Sequence, residues 1–575
     1  MIYKIKAILT KKQLIALYIF ALLSFITMIL ETAGIGLIIP FIEAISMEGT
    51  NQKFIKFLNF FKIHPSSKQD VIYTLIAIIG FVYTIKVIFL TFYSYLEAKL
   101  LSDFNVSISN RLYDIYLNKP YSFHLSNNSA KLTRNIDEVS IVVGLIKSSI
   151  LLFNETIVFI GISAFVIFYD PFGSLLVIFF LGTFGFLFFK KTQNKLQSLG
   201  ETRQLHRARH LKYLREGFRS IRDIKILQRA KEVVKTFTSN NFILNLTELK
   251  RKFISSLPRL WLEWLVVISF ILLTLLMVHI GRELKSIVPL LGLFAAAAFR
   301  IMPSLTKIMN SIQFITFYKP AFNSVYQEFT ENELKTINKK EFSENKINFK
   351  KDIDLSNISF KFSKTDPFLL NNINLKIEKG SVIGLIGESG AGKTTLINII
   401  LGLIQPFEGK IRVDGEEIHK NIFNWQKQIG YVPQDIYLSD DSIKKNIAFG
   451  LPDEKIDDIL VQKAIQNVKL DEFINGLKNG LNTKIGEFGD KISGGQRQRI
   501  AIARALYNDP QVLIFDEFTN SLDLETEKEI MKQVNSFKGK KTIIIIAHRI
   551  STLENCDNVF KLDREGLKLH KFKNE

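Results

Sequence analysis

The sequence predicts an α-helical transmembrane bundle of six spans fused to an α/β domain. Three observations predict this architecture. Six apolar runs within residues 1–330 reach the length of about 20 residues that crosses a bilayer. From residue 352 onwards, short strand-like runs alternate with helical patterns, as in α/β domains. One glycine-rich loop in this second part stands between a strand pattern and a helix pattern, which is typical of a ligand-binding loop.

Composition fits a protein that lies partly in a membrane. The chain of 575 residues is long enough for more than one domain. Of its residues, 47% are hydrophobic, and the mean hydropathy is +0.15. The net charge of +20 is compatible with nucleic acid, but the basic residues mostly flank apolar runs, so a topology signal explains them better and no nucleic-acid partner is expected. The single cysteine, Cys556, excludes a disulfide within the chain and a cysteine metal cluster.

The predicted spans differ in how they are joined. They lie near Leu14–Phe41, Val71–Leu96, Ile141–Tyr169, Phe172–Phe189, Leu260–Ile280 and Ile287–Phe317. Asp170-Pro171 predicts a tight external turn between the third and fourth spans. The join between the fourth and fifth spans is long and rich in Lys and Arg, which places it and both termini in the cytoplasm. We therefore expect helices that extend past the bilayer, with short elements at Tyr121–Leu125 and Ser220–Lys225.

Two further segments complete the domain organisation. Residues 51–63 place Phe54, Phe57, Leu58 and Phe61 on one helical face. This pattern predicts an amphipathic helix, either on the outer membrane surface or as a cap on the first two spans. Residues 331–351 are polar and predict a linker between a transmembrane domain, 1–330, and a second domain, 352–575.

Ionisable residues at membrane depth are costly and tend to be functional or paired. The basic residues of the predicted spans include Lys86, Arg300 and Lys307. The spans also contain three acids, Glu31, Glu155 and Glu263. Arg300 and Lys307 are seven residues apart and share one helix face. Two interpretations stay open: the acids and bases pair and hold the bundle together, or the bases form an anion-binding cavity.

The glycine-rich loop reads G-x-x-x-x-G-K-T, the phosphate-binding loop of nucleoside-triphosphate-binding proteins. The strand-like run Val382–Ile386 precedes it and a helical run follows it, so backbone N–H groups and a helix N-terminus would face the phosphates. Lys393 would reach the β- and γ-phosphates, and the Thr394 hydroxyl would bind Mg²⁺. The predicted ATP contacts here are Gly387, Glu388, Ser389, Gly390, Ala391, Gly392, Lys393, Thr394 and Thr395.

Two acids end a later apolar strand, Val512–Phe515. Asp516 is placed to hold Mg²⁺ through water, and Glu517 to polarise the attacking water. Between the loop and this strand, Ile492-Ser493-Gly494-Gly495-Gln496 resembles the signature of ATP-binding-cassette (ABC) ATPases, with Ile for the usual Leu.

Other residues match the same family by order and position. Gln434 resembles its Q-loop residue, 521–523 its D-loop, His548 its switch histidine, and Phe362 stands where a Tyr usually stacks on adenine. Glu487 lies in an exporter-type Gly-Glu-x-Gly pattern. The resemblance implies a helical subdomain at about 435–510. It also implies catalytic roles for Glu517, His548 and Gln434, Mg²⁺ contacts by Thr394, Gln434 and Asp516, and ATP contacts by Phe362, Ser493, Gly494, Gly495 and Gln496.

The whole chain resembles type IV ABC exporters. The resemblance implies a homodimer in the bacterial inner membrane that binds two ATPs, each between the phosphate loop of one chain and the signature of the other. It also implies that the two short elements, Tyr121–Leu125 and Ser220–Lys225, are coupling helices.

Short motifs point to a substrate. Glu31–Phe41 and Phe299–Ser304 resemble the flippases of bacterial protein N-glycosylation, which implies a lipid-linked oligosaccharide on a polyprenyl pyrophosphate. Its anionic head would meet Lys86, Arg300 and Lys307, and its lipid would meet the membrane. The alternatives are a flippase of lipid A or another glycolipid, a peptide or drug exporter, and a non-pumping ABC protein, which the presence of Glu517 disfavours.

Overall fold

The computed structural model describes residues 1–37, 41, 68–279, 284–333, 349–519, 524–547, 549–563 and 565–570. The chain divides into two compact units. Unit 1 comprises Met1–Lys119 and His124–Asn338, and unit 2 comprises Pro120–Phe123 and Lys339–Glu575. The predicted amphipathic helix at 51–63 and most of the predicted linker, 334–348, lie outside the described residues.

The described part of residues 1–333 is helical almost throughout. Its helices are α1 (Ile2–Ile8), α2 (Lys11–Gly36), α3 (Lys68–Leu117), α4 (Tyr121–Ser126), α5 (Ser129–Asp137), α6 (Val139–Tyr169), α7 (Pro171–Arg219), α8 (Ile221–Ile226), α9 (Ala230–His279) and α10 (Leu284–Glu333). Among the described residues, six segments are long and apolar enough to cross a membrane. They lie in α2, α3, α5–α6, α7, α9 and α10, which confirms the predicted set of spans.

Several helices are much longer than a bilayer is thick. Helices α3 and α9 each have 50 residues, and α7 has 49. At 1.5 Å per residue, 50 residues extend about 75 Å, against about 30 Å of hydrocarbon. As the polar joins predicted, these helices extend beyond the bilayer, and the short helices α4 and α8 stand between them.

The turn between α6 and α7 lies where Asp170-Pro171 predicted it. Helix α6 ends at Tyr169, and the Asp170 backbone N–H donates to the Val166 carbonyl over 3.0 Å. Pro171 opens α7, a position that suits its fixed φ and missing N–H. At the other end of the bundle, α10 continues to Glu333 and so covers 331–333 of the predicted linker. These polar residues include neither Pro nor Gly, so nothing in them ends the helix.

Unit 2 contains two sheets. Strands β1 (Asp352–Phe360), β2 (Leu370–Glu378), β4 (Glu408–Val413) and β5 (Glu416–Glu417) form an antiparallel sheet in the order β2-β1-β4-β5. Strands β3 (Val382–Gly387), β6 (Ile429–Val432), β7 (Val512–Asp516), β8 (Thr542–Ile546), β9 (Asn558–Asp563) and β10 (Gly566–His570) form the second sheet in the order β10-β9-β3-β8-β7-β6.

The centre of the second sheet is parallel and buried. Every residue of β7 and β8 is buried, as expected for strands covered on both faces. Strand β8 pairs in parallel with β3 and β7, and β7 pairs in parallel with β6. Ile546 is opposite both Leu385 and Asp516, so the carboxyl ends of these strands reach the same edge.

The helices of unit 2 pack around these sheets. They are α11 (Lys393–Ile400), α12 (Ile422–Gln426), α13 (Ile443–Ile447), α14 (Asp458–Asn467), α15 (Asp471–Asn475), α16 (Gly494–Leu506) and α17 (Leu524–Asn535). Helices α13 to α16 fall within the predicted helical subdomain. Their buried faces share one apolar core with β7, which includes Val461, Ile500 and Phe515.

Candidate functional site

The carboxyl ends of β3, β8, β7 and β6 bring together residues that are far apart in the sequence. The phosphate loop follows β3, Asp516 ends β7 and Glu517 comes directly after it, and Gln434 follows β6. Ligands of open α/β sheets bind outside this edge. We call Lys393, Gln434, Asp516 and Glu517 the strand-end site.

The phosphate loop has the backbone that its glycines predict. Gly390 and Gly392 have φ angles of 83° and 95°, in the left-handed region that favours glycine. The Lys393 ammonium donates to the carbonyls of Gly387 and Glu388, at 2.7 and 3.1 Å, so it is folded back over the loop. Lys393 is 5% exposed. A phosphate placed in the loop would find this ammonium beside it.

Glu517 has a strained backbone and a fixed side chain. Its φ of 45° is uncommon for a residue with a side chain, and such conformations collect at functional sites. The Glu517 backbone N–H donates to the Ile546 carbonyl at 3.0 Å, which ties the residue to β8. The Gln434 amide donates to Glu517 Oε2 at 2.7 Å, and Lys393 Nζ lies 3.9 Å from Glu517 Oε1. The carboxylate therefore lies between an amide and an ammonium group.

Asp516 is the most buried member of the site, at 1% exposure. Its Oδ2 accepts from the Tyr431 hydroxyl at 3.4 Å, whereas its Oδ1 makes no hydrogen bond to the described residues. Burial, followed by the nearby charge of Glu517, raises the pKa of Asp516, and Tyr431, Thr394 and Lys393 partly offset the rise. Sequence reasoning gave Tyr431 no role of its own, because its contact depends on β6 lying beside β7.

Ser493 and Gln496 stabilise the start of α16. The Ser493 N–H donates to Gln496 Oε1 at 2.9 Å, and the Gln496 N–H donates to Ser493 Oγ at 3.2 Å, which is a complete capping box. The spacing S-x-x-Q could have predicted this cap. Gly494 faces open space, whereas a Cβ on Gly495 would lie 2.9 Å from the Thr526 side chain. The open face at Gly494 leaves the helix N-terminus accessible.

The other predicted ATP contacts are distributed around the loop. Phe362 is 65% exposed, and its ring lies 5.1 Å from Phe360 in an edge-on arrangement, so one face is accessible. Thr395 is buried in α11. His548 and the D-loop residues 521–523 lie outside the described residues. Within the described chain, no group of three His, Cys, Asp or Glu side chains could hold a metal alone.

The basic residues at membrane depth are paired with acids. Glu31 Oε2 lies 2.9 Å from both Lys86 Nζ and Arg300 Nε. Glu155 Oε1 lies 2.7 Å from Lys307 Nζ, and Glu155 Oε2 lies 3.4 Å from Arg300 Nη1. Arg300 thus bridges two carboxylates that belong to α2 and α6. We call Glu31, Lys86, Glu155, Arg300 and Lys307 the membrane cluster.

One polar residue that the sequence reasoning overlooked completes the membrane cluster. Ser304, which is fully buried, donates to Glu155 Oε2 at 2.7 Å and accepts from Arg300 Nη1 at 2.7 Å. The cluster is not closed everywhere, because the Lys307 side chain is 48% exposed, against 19% for Arg300 and 16% for Lys86. Glu263 lies apart from the cluster and pairs with Arg259 at 3.0 Å on an exposed face.

Comparison with known proteins finds relatives among bacterial transporters. The chain is 40% identical over 215 residues to the ATP-dependent lipid A-core flippase of Cupriavidus metallidurans, which is 37% of this chain and 36% of the relative. It is 44% identical over 217 residues to the leukotoxin export ATP-binding protein LtxB of Aggregatibacter actinomycetemcomitans, which is 37% of this chain and 30% of the relative. The matches therefore span about a third of these curated relatives.

A solved structure matches nearly the whole fold. A bacterial Atm1-family ABC exporter with ATP bound has a TM-score of 0.76 and 20% identity, over 97% of this chain and 95% of that one. This likeness shows that the fold is that of an ABC exporter. Residues 370–520 match the family described as ABC transporter, and residues 14–311, more than half of the chain, match the ABC transporter transmembrane region. The chain therefore belongs to the ABC transporter family.

Proposed function

We propose that the protein is an ATP-driven exporter that hydrolyses ATP at the strand-end site and moves an anionic amphipathic lipid across the bacterial inner membrane. The observation that carries the proposal is the convergence of a loop lysine, two carboxylates and an amide at the end of four parallel strands. Both termini and unit 2 lie in the cytoplasm, because the basic joins between spans are retained on that side.

The hydrolytic step follows from the contacts of Glu517. When ATP binds, Lys393 exchanges its bonds to the loop carbonyls for bonds to phosphate oxygens. Lys393 then no longer engages Glu517, and the Glu517 carboxylate polarises the attacking water. The Gln434 amide holds this carboxylate in place. By resemblance to the family, His548 takes the catalytic role of the switch histidine, and Phe362 stacks on the adenine through its exposed face.

The residues at the edge of the strand-end site fit a magnesium ion. Asp516 Oδ1 is buried and makes no hydrogen bond to the residues that the structure describes, so it is an acceptor without a partner. The Thr394 side chain lowers the pKa of Asp516 by hydrogen bonding, so it lies beside that carboxyl. Thr394 and Gln434 would supply further oxygen atoms. Oxygen ligands from few side chains plus phosphates and water suit Mg²⁺. Bound there, the ion would neutralise charge on the β- and γ-phosphates.

Two copies of the chain form the working transporter. One chain has six spans and one ATPase unit. In the homodimer, the phosphate loop of one copy and Ser493–Gln496 of its partner hold the same ATP. The N-terminus of α16 suits this role because its backbone N–H groups favour an anion and Gly494 leaves the approach open.

The substrate is a polyprenyl-pyrophosphate-linked oligosaccharide. The membrane cluster supports an anionic head, because three cations face two carboxylates and one positive charge is in excess. Lys307 is its most exposed member and would make the direct contact, with Arg300 and Lys86 holding the local field positive. The resemblance of residues 31–41 and 299–304 to glycosylation flippases selects this lipid among anionic lipids.

A second candidate is lipid A or another phosphate-bearing glycolipid. The 40% identical relative is a lipid A-core flippase, and such a lipid offers the same phosphate chemistry to Lys307. The toxin-export relatives favour a polypeptide instead, but a polypeptide does not account for the excess positive charge of the membrane cluster.

Proteoliposomes test the substrate directly. The purified protein is reconstituted with a fluorescent polyprenyl-pyrophosphate oligosaccharide, with lipid A, or with a polybasic peptide, and ATP-dependent transfer between leaflets is measured for each. We expect transfer of the oligosaccharide lipid above the other two. Transfer of lipid A alone would replace the substrate, and transfer of the peptide alone would overturn the anionic class.

Mixed dimers test the shared ATP site. A Lys393→Ala copy paired with a Ser493→Arg copy retains one intact composite site, whereas each pure mutant dimer retains none. We expect each mixed dimer to bind about one ATP, so the mixture binds more ATP than either pure mutant. Binding no greater than in the pure mutants would contradict the head-to-tail arrangement.

A further inference from the structure

A groove between α7 and α9 combines positive charge with aromatic surface. It encloses about 480 Å³, and its lining includes Lys191 and Lys195 from α7 and Lys250 from α9. Phe184 and Trp261 line its opposite end, with ring centroids 6.4 Å apart. The groove lies in unit 1 and shares no residue with the strand-end site or the membrane cluster.

The polarity of the groove changes along its length. Lys195 follows Phe184 by 11 residues on α7, and Lys250 precedes Trp261 by 11 residues on the antiparallel α9. At 1.5 Å per residue, each lysine lies about 16 Å along the helix from its aromatic partner. Because Phe184 and Trp261 oppose each other, the lysines of both helices meet at the other end. The groove is therefore aromatic at one end and cationic at the other.

This gradient matches the boundary of a membrane. The apolar run of α7 ends at Phe189, and that of α9 begins at Leu260, so Phe184 and Trp261 lie at hydrocarbon depth. Lys191 follows Phe189 by two residues, at the level of lipid headgroups. Lys195 and Lys250 lie farther towards the cytoplasm, and their long side chains can reach back to this level. Both helices continue past this level, and their basic residues place it on the cytoplasmic side.

The described part of the protein does not neutralise the charge of the groove. In the described ranges, no carboxylate oxygen lies within 4.0 Å of the ammonium groups of Lys191, Lys195 or Lys250. Neighbouring arginines differ, because Arg203 and Arg251 both pair with Glu248, at 3.2 and 2.9 Å. The three lysines are also exposed. A concentration of positive charge beside an apolar groove, in a membrane, attracts an anion that carries a hydrocarbon chain.

We propose that this groove binds an anionic phospholipid, with the phosphate at Lys191, Lys195 and Lys250 and one acyl chain along Phe184, Phe253 and Trp261. The charge selects a lipid over a second copy of the chain, because an apolar helix placed there would leave three ammonium groups without counter-charge. Aromatic rings at the headgroup boundary suit the upper part of an acyl chain.

Tryptophan quenching gives a direct test, because the chain has a reporter in the groove. Of the three tryptophans, Trp425 is fully buried in unit 2, and Trp264→Phe leaves Trp261 as the residue that membrane lipids reach. The full-length Trp264→Phe protein is placed in nanodiscs of phosphatidylcholine with increasing brominated phosphatidylglycerol, and in a parallel series with brominated phosphatidylcholine. We expect brominated phosphatidylglycerol to quench Trp261 at a mole fraction at least about fivefold lower than brominated phosphatidylcholine. One lysine near an anionic headgroup contributes about this factor.

A matched pair of variants separates the groove from general surface charge. Lys191→Gln with Lys250→Gln removes two groove lysines, and Lys190→Gln with Lys252→Gln removes two neighbours that do not line it. We expect the first pair to weaken the preference for phosphatidylglycerol and the second pair to retain it, with equal unfolding temperatures. Equal losses in both pairs, or no preference in the parent, would overturn the site.

Two further results would contradict the proposal. Absence of quenching by either lipid would show that protein covers the groove. Equal competition by soluble glycerol phosphate would show a site for free anions. Export activity does not depend on any of these outcomes.

Discussion

The strand-end site and the membrane cluster both set cations against carboxylates, but they hold them differently. In the strand-end site, Lys393 Nζ lies 3.9 Å from Glu517, and Asp516 Oδ1 makes no hydrogen bond to the described residues. In the membrane cluster, Glu31 Oε2 has two cations at 2.9 Å, and Glu155 has contacts with Lys307, Arg300 and Ser304. The first arrangement leaves charges for a ligand to complete, and the second is largely complete by itself.

This difference shows how each cluster depends on its surroundings. A buried charge without a partner is costly, so closely paired charges mainly fix the packing of the helices that carry them. A loosely paired set instead gains when a ligand arrives. The comparison predicts that mutations in the strand-end site change chemistry at little cost in stability, whereas those in the core of the membrane cluster change stability.

The largest effect is expected from Glu517→Gln. The amide keeps the shape of the side chain but cannot polarise water, so ATP turnover should fall by about 10²–10⁴-fold while ATP still binds. Phosphate release and nucleotide binding measure the two properties on the same sample. Glu525→Gln, an exposed residue of α17, is the matched control and should hydrolyse ATP normally. A wild-type rate in Glu517→Gln would refute the role of the carboxylate.

Arg300→Ala should act mainly on stability. It leaves Glu31 and Glu155 each with one cation fewer in a buried setting, and breaking a buried ion pair costs about 3–5 kcal/mol. Thermal unfolding in detergent measures the loss. Arg259→Ala removes an exposed pair with Glu263 and should cost less than about 1 kcal/mol. Equal unfolding temperatures for both variants would contradict the closed description of the membrane cluster.

The strand-end site could be predicted largely from sequence, because its residues follow apolar strands that become parallel neighbours. Asp516 is the last residue of β7, and Gln434 comes shortly after the end of β6. The parallel pairing of these two strands alone brings the residues together. Predicting the Tyr431 contact with Asp516 requires knowing that β6 and β7 are neighbours. The Ser493–Gln496 cap could be predicted from the S-x-x-Q spacing alone.

The pairing within the membrane cluster could not be predicted from sequence. Helical spacing placed Arg300 and Lys307 on one face, and both do contact Glu155. Which acid pairs with which base, however, depends on the rotation of α2, α3, α6 and α10 about their axes. Spans that are hydrophobic on every face do not specify this rotation. The sequence left pairing open but favoured an anion-binding role for Lys86, Arg300 and Lys307. In the structure all three bases contact a carboxylate, and Lys307 is the one that stays half exposed.

Phe362 gives a smaller effect at the edge of the strand-end site. Its exposed ring is the proposed adenine platform, and loss of one stacking contact is worth up to about 1.5 kcal/mol, or roughly tenfold in affinity. Titration with a fluorescent ATP analogue should show weaker binding by Phe362→Ala and near-normal binding by Phe362→Tyr. Phe423→Ala, also exposed, is the control. Unchanged affinity in Phe362→Ala would place the adenine elsewhere.

The division of labour between the two clusters is tested most directly by measuring ATP hydrolysis and lipid flipping in the same proteoliposomes for wild type and Lys307→Ala. Glu155 retains Arg300 and Ser304 when Lys307 is removed, so the variant should fold and hydrolyse ATP as the wild type does. An exposed charge contact is worth up to about 1 kcal/mol, so flipping of the polyprenyl-pyrophosphate oligosaccharide should fall about fivefold, with partial recovery in Lys307→Arg. Unchanged flipping, or hydrolysis that falls in proportion to flipping, would contradict the account.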